Sequence, residues 1–460
     1  MRYSSFFFLT LWTFFALSHL AFAFEANPFL NGASSLLNQS ARGAGRVFKE
    51  REFAESEIKV KVGGEFRYRF EYRDDFNLNP TTFEDDSVNL LRSRLNLDVT
   101  LQPSLRFLVE GQEAHSFAES QLEKTNAFVN ELDLRQLFIE VKSPQKEIPF
   151  TLKVGRQELA YGDERLVGAF NWSNVSRVFD AVKLIYQPAE KFQLDLFVSR
   201  PVRVEKEKPD PTPHQENFYG IYGALKLFPE HVLDTFLLIC HNRDKSLRGE
   251  RSGEFGPLKE YTLGNRFKGK AAGFDYGTEY AIQLGSRAHD EVAAWAFHQE
   301  AGYKLTKLFR TPRLSVEFNH ASGDRNPSDG TFGTFDNLFP TNHDKYGFMD
   351  FLSLKNINDV KVGVSVKLHP KVTSAVDLHW FFLDAKESAW FNASGGIFRA
   401  ANSQADTQLG EELDLTTSWR ITEPLSLWVG FSHFFAGPFA QDTGASDDAN
   451  FFYVQNVFSF

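Results

Sequence analysis

Arginines recur at alternate positions within a short stretch of the chain, and their spacing points to a chemical role. A guanidinium stays charged and can donate two N–H groups to one carboxylate. Alternate residues share one face of a β-strand, so the pattern predicts a basic surface suited to anions. Ion pairing with Glu65, Asp98 and Glu110 in the same stretch is the alternative role. The arginines are Arg67, Arg69, Arg73, Arg92, Arg94 and Arg106.

Long alternating segments must position these side chains. From Glu57 to Arg73, apolar residues such as Val60 and Phe66 occupy one face and charged residues occupy the other. This alternation is longer than a typical strand of about 5–6 residues in a soluble protein. It fits a membrane-spanning strand of about 9–11 residues with one face in lipid.

Similar segments follow one another along the chain, and we count 18 of them. An even number suits a closed barrel whose two ends lie on one side of the membrane. We therefore predict an all-β fold, a closed antiparallel transmembrane β-barrel over residues 57–460. Weak alternation after Glu131 and Thr151 leaves the count open by two. The predicted strands begin near Glu57, Val88, Ser104, Asp133, Phe150, Arg177, Lys191, Asn217, His231, Glu260, Gly273, Glu291, Pro312, Asp359, Lys371, Gln408, Pro424 and Phe451.

The connections between these segments alternate in length. Proline lacks an N–H group and suits a turn better than a paired strand, and it marks most of the short connections. Short periplasmic turns are predicted at Pro103, Pro144, Pro188, Pro229, Gly269, Pro312, Pro370 and Pro424. Long extracellular loops are predicted over 74–87, 114–132, 160–176, 201–216, 244–259, 322–358, 385–407 and 437–450. This asymmetry is typical of outer-membrane barrels.

Composition narrows the class of protein. A net charge of -10 among 460 residues argues against a nucleic-acid-binding surface, and the single cysteine excludes a disulfide framework. A mean hydropathy of -0.33 excludes a helical protein with many membrane spans. The one long apolar run, 6–24, follows Arg2 and ends in Ala21-Phe22-Ala23. It predicts a signal peptide over 1–23, with an uncleaved anchor helix as the alternative, and then a periplasmic lead-in over 24–56.

The sequence contains no H-E-x-x-H, G-x-S-x-G or P-loop motif. We therefore predict no catalytic residue, metal or cofactor. His298 and Glu300 share a strand face and could bind a metal, but two lumen-lining polar residues are the better interpretation. The segment Asp324 to Gly330 resembles a calcium loop, yet its glycine is one place late and position twelve lacks Glu. Turn chemistry is the favoured interpretation there.

The chain ends on an alternating strand with Phe458 and Phe460. A terminal aromatic of this kind resembles the signal read by the outer-membrane assembly machinery. We therefore predict that machinery, outer-membrane lipid and lipopolysaccharide as partners, and no nucleic acid. A monomer is favoured over a trimer, and the expected location is the outer membrane of a Gram-negative-type bacterium.

Several short motifs resemble those of the alginate export family of outer-membrane porins. They are Gly155-Arg156-Gln157-Glu158, Asn171-Trp172-Ser173-Asn174, Phe179-Asp180-Ala181-Val182, Ala321-Ser322-Gly323-Asp324 and Leu338-Phe339-Pro340. The resemblance implies an 18-stranded barrel whose lumen passes an acidic polysaccharide or a related solute. The resemblance supports the barrel fold more strongly than it supports the identity of the substrate.

Passing a polyuronate through a lumen would require cations spaced along a wet wall. The six arginines could supply one patch, extended by Lys183, Lys361, Lys367 and Arg420. The acidic residues Glu279, Glu317, Asp377, Glu412 and Asp414 would then set a transverse field against the basic side. A channel for acidic saccharides is the predicted function. A general or small-solute diffusion porin is the alternative, and an outer-membrane enzyme is less favoured.

Overall fold

A computed structural model describes residues 58–79, 86–101, 104–117, 128–145 and 147–460. The predicted signal peptide and lead-in lie outside these residues. Over the described ranges, twenty-one strands and one short helix, α1 (Pro438–Thr443), make up the regular structure. Within the described residues, no helix is both long and apolar enough to cross a membrane. The strands are β1 (Ile58–Asp74), β2 (Asp86–Leu101), β3 (Leu105–Phe117), β4 (Asn130–Lys142), β5 (Phe150–Gln157), β6 (Phe179–Ala189), β7 (Phe192–Pro201), β8 (Glu216–Phe228), β9 (His231–Arg248), β10 (Phe255–Ala271), β11 (Phe274–Arg287), β12 (Asp290–Lys304), β13 (Arg313–Ala321), β14 (Thr331–Phe332), β15 (Ile357–His369), β16 (Val372–Phe382), β17 (Trp390–Phe391), β18 (Ile397–Arg399), β19 (Gln408–Arg420), β20 (Leu425–Ala436) and β21 (Ala449–Ser459).

Antiparallel pairing runs from strand to strand around the sheet and closes where β21 pairs with β1. Eighteen strands form this closed ring; β14 adds a short parallel pairing to β12, and β17 and β18 form a separate pair. The predicted fold class and strand count are confirmed. Closure matters because a barrel satisfies every backbone group without leaving an open edge in lipid.

Side-chain alternation places apolar residues on the outside of the barrel. On β1, Ile58, Val60 and Val62 are exposed while Arg67 and Arg69 on the other parity are buried. On β13, Leu314 and Val316 are exposed. A period of two makes this separation obligatory, since a one-residue slip in register would turn every arginine towards lipid.

The short connections agree with the predicted turns at most sites. Pro229 and Pro370 each form part of a two-residue connection, and Pro312 and Pro424 end longer ones. The turn predicted at Gly269 is wrong, because Gly269 pairs with Tyr276 inside the β10–β11 hairpin. The turn lies instead at residues 272–273, where both residues have positive φ (52° and 86°). Two residues with positive φ form the tight turn that suits the twist of paired strands. Pro188 belongs to the irregular end of β6, and Pro103 lies outside the described residues.

One of the opposite connections is shorter than predicted, and one for which no long loop was predicted is a tight turn. Strands β9 and β10 extend well past the membrane-spanning length, so only residues 249–254 join them. The β11–β12 connection is the pair Ala288 and His289. Among the described residues, the connections from β5 to β6 and from β13 to β15 are long and pack inside the barrel.

The chain terminus completes the seam between the last strand and the first. Phe460 exchanges backbone hydrogen bonds with Gly64, at 3.0 and 3.1 Å. Its ring stacks on Phe66, with ring centroids 5.9 Å apart, and lies 6.1 Å from the ring of Phe458. The terminal aromatics are therefore part of the closing seam, while their role as an assembly signal stays a prediction.

Candidate functional site

Residues 158–178, which join β5 to β6, fold into the barrel; we call them the inner loop. Arg67 donates to the carbonyl oxygens of Asn171 and Ser173, at 2.7 and 3.0 Å. Arg92 donates to the same two carbonyls, each at 3.0 Å. Arg94 donates to Ser176 Oγ at 2.6 Å. Guanidiniums on β1 and β2 thus bind one short loop segment, 171–176.

Trp172 lies in a stack at the centre of this contact. The Arg69 guanidinium lies 3.7 Å from the Trp172 ring centroid and donates to the Trp172 carbonyl at 2.7 Å. The His343 ring stacks on Trp172 at a centroid distance of 3.7 Å. A cation over an aromatic face is attracted by the ring quadrupole, so Trp172 links the barrel wall to a second segment inside the barrel. We call Arg67, Arg69, Arg92 and Arg94 the basic wall.

Ion pairs within the wall account for part of this basic charge. Arg92 pairs with Glu65 at 2.6 Å and Arg106 with Asp98 at 2.8 Å. Glu71 pairs with both Arg69 (2.6 Å) and Arg73 (2.7 Å). In contrast, Arg67 and Arg94 have no ion pair in the part of the chain that the structure describes. The alternative role as ion-pair partners therefore fits four of the six arginines.

Glu110 pairs with Arg135 rather than with an arginine of the predicted patch, at 2.5 Å. Arg135 also binds Glu158 at the start of the inner loop. Sequence reasoning missed Arg135 because β4 carries a register irregularity, which disturbs the alternation used to choose inward residues. Arg135 stands on the strand whose weak alternation left the strand count open.

Residues 322–356 form a second loop inside the barrel, which we call the second loop. Its backbone pairs with the inner loop: Phe339 N donates to Leu166 O at 2.9 Å, and Gly168 N donates to Phe339 O at 2.8 Å. Buried apolar residues of both loops, including Leu166 of the inner loop and Phe335 of the second loop, belong to the main hydrophobic cluster. The core of this barrel is therefore built largely from loop residues packed in the lumen.

Carboxylates on β11, β13 and β19 face the two loops; we call Glu279, Glu317, Glu412 and Asp414 the acidic wall. Glu317 accepts from Arg165 of the inner loop at 2.8 Å and from Lys361 of β15 at 2.6 Å. Glu412 accepts from the backbone N–H of Met349 at 2.9 Å. These carboxylates are at most 9% exposed. Glu279 lies on β11, across the ring from β1 and β2, as a transverse field requires. Glu412 and Asp414 do not fit that prediction, because only β20 and β21 separate their strand, β19, from β1.

Charged residues of the inner loop keep their charge despite burial. Burial would raise the pKa of Asp163, but Arg266 and Lys268 hold it well below its ordinary value. Burial would lower the pKa of Arg165, but Tyr346 and Glu317 raise it well above its ordinary value. Burial lowers the pKa of Arg177 to about 10. All three side chains are therefore charged near neutral pH.

The remaining predicted cations fall into two groups. Lys183 pairs with Asp195 at 3.3 Å, and Lys361 is bound to Glu317. Lys367 and Arg420 are exposed near the periplasmic ends of β15 and β19, on the inward parity. Their position at this mouth, away from both loops, leaves them open to solute.

Two minor predictions can also be compared with the geometry. His298 is buried between Asn319 (2.8 Å) and Arg165 (3.1 Å), while Glu300 pairs with Lys268 at 3.4 Å. These contacts fit the interpretation as lumen polar residues. In the second loop, Asp324 accepts from the N–H of Asn326 at 3.0 Å, and the residues from Asp324 to Gly330 form turns. Hydrogen bonds within these turns account for the polar residues from Asp324 to Gly330, as predicted.

Comparison with known proteins adds an independent finding. A model of the alginate export family matches residues 58–454. The chain belongs to the alginate export family. Among curated protein sequences, none matches this chain significantly. The family and the barrel are those of outer-membrane transport channels, not of enzymes.

Solved structures with a similar fold include three bacterial proteins. Acinetobacter baumannii OccAB1 aligns with a TM-score of 0.61 and 10% identity over 89% of this chain and 99% of that chain. Pseudomonas aeruginosa OccK8 (OprE) gives 0.58 and 11% over 87% and 98%. Pseudomonas aeruginosa OccD3 (OpdP) gives 0.57 and 9% over 87% and 91%. At this identity they show the shared barrel alone.

The motifs that carried the family resemblance meet inside this barrel. Gly155 has a φ of 127°, and a Cβ there would collide with the carbonyl of Leu137, so only glycine fits where β5 leaves the sheet. The stretch Asn171 to Asn174 is the segment bound by the basic wall, and Phe339 pairs with Leu166 and Gly168. In this family member, the motif residues shape the loops that fill the lumen.

Proposed function

We propose that this outer-membrane channel passes acidic saccharides, alginate-like oligosaccharides or polysaccharides, through an arginine-containing lumen. The observation that carries the proposal is the unbalanced charge of the basic wall. Arg67 and Arg94 bind neutral oxygens of the inner loop and have no carboxylate partner among the described residues. Their charge is therefore available to an anion in the lumen.

A polyuronate presents one carboxylate on each sugar, so it can move between cations in small steps. Several weak sites favour conduction, because a solute must be able to leave each site as readily as it enters. Low-dielectric walls focus the field of such a cluster, which lets a basic lumen attract anions despite the overall charge of -10. Lys367 and Arg420, exposed at the periplasmic mouth, extend this surface.

A general diffusion porin is the second candidate, and the acidic wall is the observation that favours it. Glu279 and Glu317 face the same lumen as the arginines, and opposed charges across a lumen orient small dipolar solutes of either net sign. The two loops inside the barrel reduce the cross-section open to solute. Both candidates are channels, so they differ in selectivity rather than in mechanism.

Reversal potentials in planar bilayers test the proposal. The wild-type channel should favour anions in a salt gradient, and oligouronates should block its small-ion current. Arg94→Gln removes an inward charge that lacks a carboxylate partner, so the reversal potential should shift towards cations and block should weaken. Both effects should shrink at high salt, because the Debye length falls from about 10 Å at 0.1 M to about 3 Å at 1 M.

Lys259→Gln is the matched control, since it removes one positive charge from the outer face of β10. It should leave reversal potential and block at wild-type values. Equal behaviour of wild type and Arg94→Gln would contradict an acidic substrate and favour the diffusion porin. Absence of discrete conductance steps in the folded wild type would contradict both candidates.

A further inference from the structure

The outer surface of β7–β10 carries a polar row directly beyond an apolar one. Val198, Tyr219, Ile239 and Tyr261 are paired in register across these four strands and lie on the outward parity. Two residues further towards the long-loop end, the outward row consists of Arg200, Asn217, His241 and Lys259. The register places Asn217 opposite His241 and His241 opposite Lys259. We call these four residues the outer polar row.

The row has an excess of positive charge. Arg200 donates to Asn217 Oδ1 at 3.1 Å and contacts His214 Nδ1 at 3.0 Å, neither of which is a carboxylate. Lys259 is exposed. The nearby carboxylates are largely engaged, since Asp180 binds Arg156 at 2.9 Å and Glu216 binds Arg203 at 2.8 Å.

The tip of β9 continues the same charge beyond the row. Arg243 and Lys245 are exposed there, with Asp244 between them. Elsewhere around this end of the barrel, the charged residues on the outward parity of the described strands are Asp74, Glu113, Glu291 and Glu411. Outward-facing lysine and arginine at this level are confined to the described strands β5–β10. The charge is therefore a local feature of one sector.

This arrangement matches the chemistry of a phosphorylated lipid. Basic residues at a membrane boundary bind anionic headgroups, and an apolar row beneath them can contact acyl chains. Arg200 and Lys259 are separated by three strand spacings, about 14 Å at 4.8 Å each. The two ends can therefore bind two phosphates of one headgroup.

We propose that the outer polar row is a binding site for the bisphosphorylated headgroup of an outer-leaflet glycolipid, the lipid A part of lipopolysaccharide. Its phosphates contact Arg200 and Lys259, His241 donates a hydrogen bond between them, and its acyl chains lie along the apolar row; Asn217, which is buried, holds Arg200 in place through Oδ1. The site faces away from the lumen. The proposed lipid site is therefore independent of the solute that the channel carries.

Native mass spectrometry of the full-length barrel in detergent tests the site. Bisphosphorylated lipid A and its fully dephosphorylated counterpart are added separately at equal concentration. Wild-type protein should retain the bisphosphorylated lipid at least about tenfold more strongly, as expected for paired charge-assisted contacts. Arg200→Gln/Lys259→Gln should lose that advantage, and Lys259→Gln alone should lose part of it.

Lys307→Gln/Arg310→Gln is the matched control, because it removes two exposed charges from the β12–β13 turn at the opposite end of the barrel. It should retain lipid A as the wild type does. A mobility difference between unboiled and boiled samples on a gel confirms that each variant is folded. Equal retention of the two lipids by wild type overturns the proposal whatever the variants do. Equal retention of bisphosphorylated lipid A by wild type and folded double variant overturns it as well.

Discussion

The basic and acidic walls hold the same inner loop with opposite chemistry. On the acidic wall, Glu317 supplies the negative charge and Arg165 of the loop supplies the positive one. On the basic wall, Arg67 donates to neutral carbonyl oxygens of the loop and has no carboxylate partner among the described residues. The first contact cancels charge and the second does not.

This difference makes the proposed basic lumen compatible with an acidic protein. Backbone carbonyls satisfy the N–H donors of a guanidinium without removing its net charge, whereas a carboxylate does both. The inner loop therefore covers Arg67, which is 2% exposed, without supplying a carboxylate that would cancel its charge. Counting exposed charge alone would miss this contribution.

The largest expected effect comes from breaking the basic-wall contact. In Arg67→Met/Arg92→Met, segment 171–176 loses the donors to the carbonyls of Asn171 and Ser173. Hydrogen bonds to charged groups contribute about 1.5–3 kcal/mol each, so the inner loop should leave its place in the lumen. Single-channel conductance should rise severalfold, and anion preference should fall.

Arg106→Met is the matched control for this variant. Arg106 lies near the same wall, but its bonds go to Asp98 and Glu140 on neighbouring strands and not to the inner loop. Its conductance should stay near the wild-type value. If both variants raise conductance equally, the basic wall does not hold the loop.

A smaller effect is expected from breaking the acidic-wall contact. Arg165→Met removes one partner of a buried ion pair, a change that typically costs about 3–5 kcal/mol. The cost here should lie near the lower end, since Glu317 keeps its bond to Lys361. Thermal unfolding should shift to lower temperature, and conductance should rise less than in the basic-wall variant.

Arg313→Met provides the comparison for that measurement. Arg313 pairs with Asp275 at the periplasmic end, where both side chains are partly exposed, and such pairs contribute about 0–1 kcal/mol. Its unfolding temperature should change little. A larger loss in Arg313→Met than in Arg165→Met would contradict the assignment of Arg165 to a buried, loop-holding pair.

Sequence alone predicts the wall well, because lipid imposes a rule on every strand. Each strand must keep an apolar face, so alternation identifies all 18 strands, and predicted starts such as Phe150 and His231 are confirmed to the residue. The start predicted at Glu260 is five residues late, because β10 continues beyond the lipid and the rule no longer applies there. Gly269 was misplaced because glycine also occurs inside paired strands.

The lumen is harder to predict, because its contacts join residues far apart in the chain. The contact of Arg67 with Asn171 spans 104 positions, and no periodic pattern connects them. Family resemblance marked the segment Asn171 to Asn174, and alternation marked the arginines, but neither observation paired the two. A signal was available: an Asn-Trp-Ser-Asn stretch with little apolar content can fill a lumen only if its polar groups find partners in the wall.

The smallest expected effect concerns pH at the rim on the acidic side. Glu250, in the β9–β10 connection, meets Asp324 of the second loop. Burial and the hydrogen bond to Asp324 raise the pKa of Glu250 from 4.5 to about 8, and the charge of Asp290 adds to the shift. Because the folded state holds a proton that the unfolded chain releases, this contact is fully stabilising below about pH 4.5 and is lost as pH rises through about 8.

Hydrogen exchange separates this behaviour from that of the basic wall, where guanidiniums bind neutral carbonyl oxygens of the inner loop. After correction for intrinsic exchange rates, amides in 249–254 and 322–334 should lose protection between pH 6 and pH 9. Those in 171–176 should not. Glu250→Gln keeps a neutral side chain at both pH values, so its rim protection should be independent of pH. Equal rim protection of wild type at pH 6 and pH 9 would show that Glu250 is already ionised at the lower pH. The two sides of the lumen would then not differ in their response to pH.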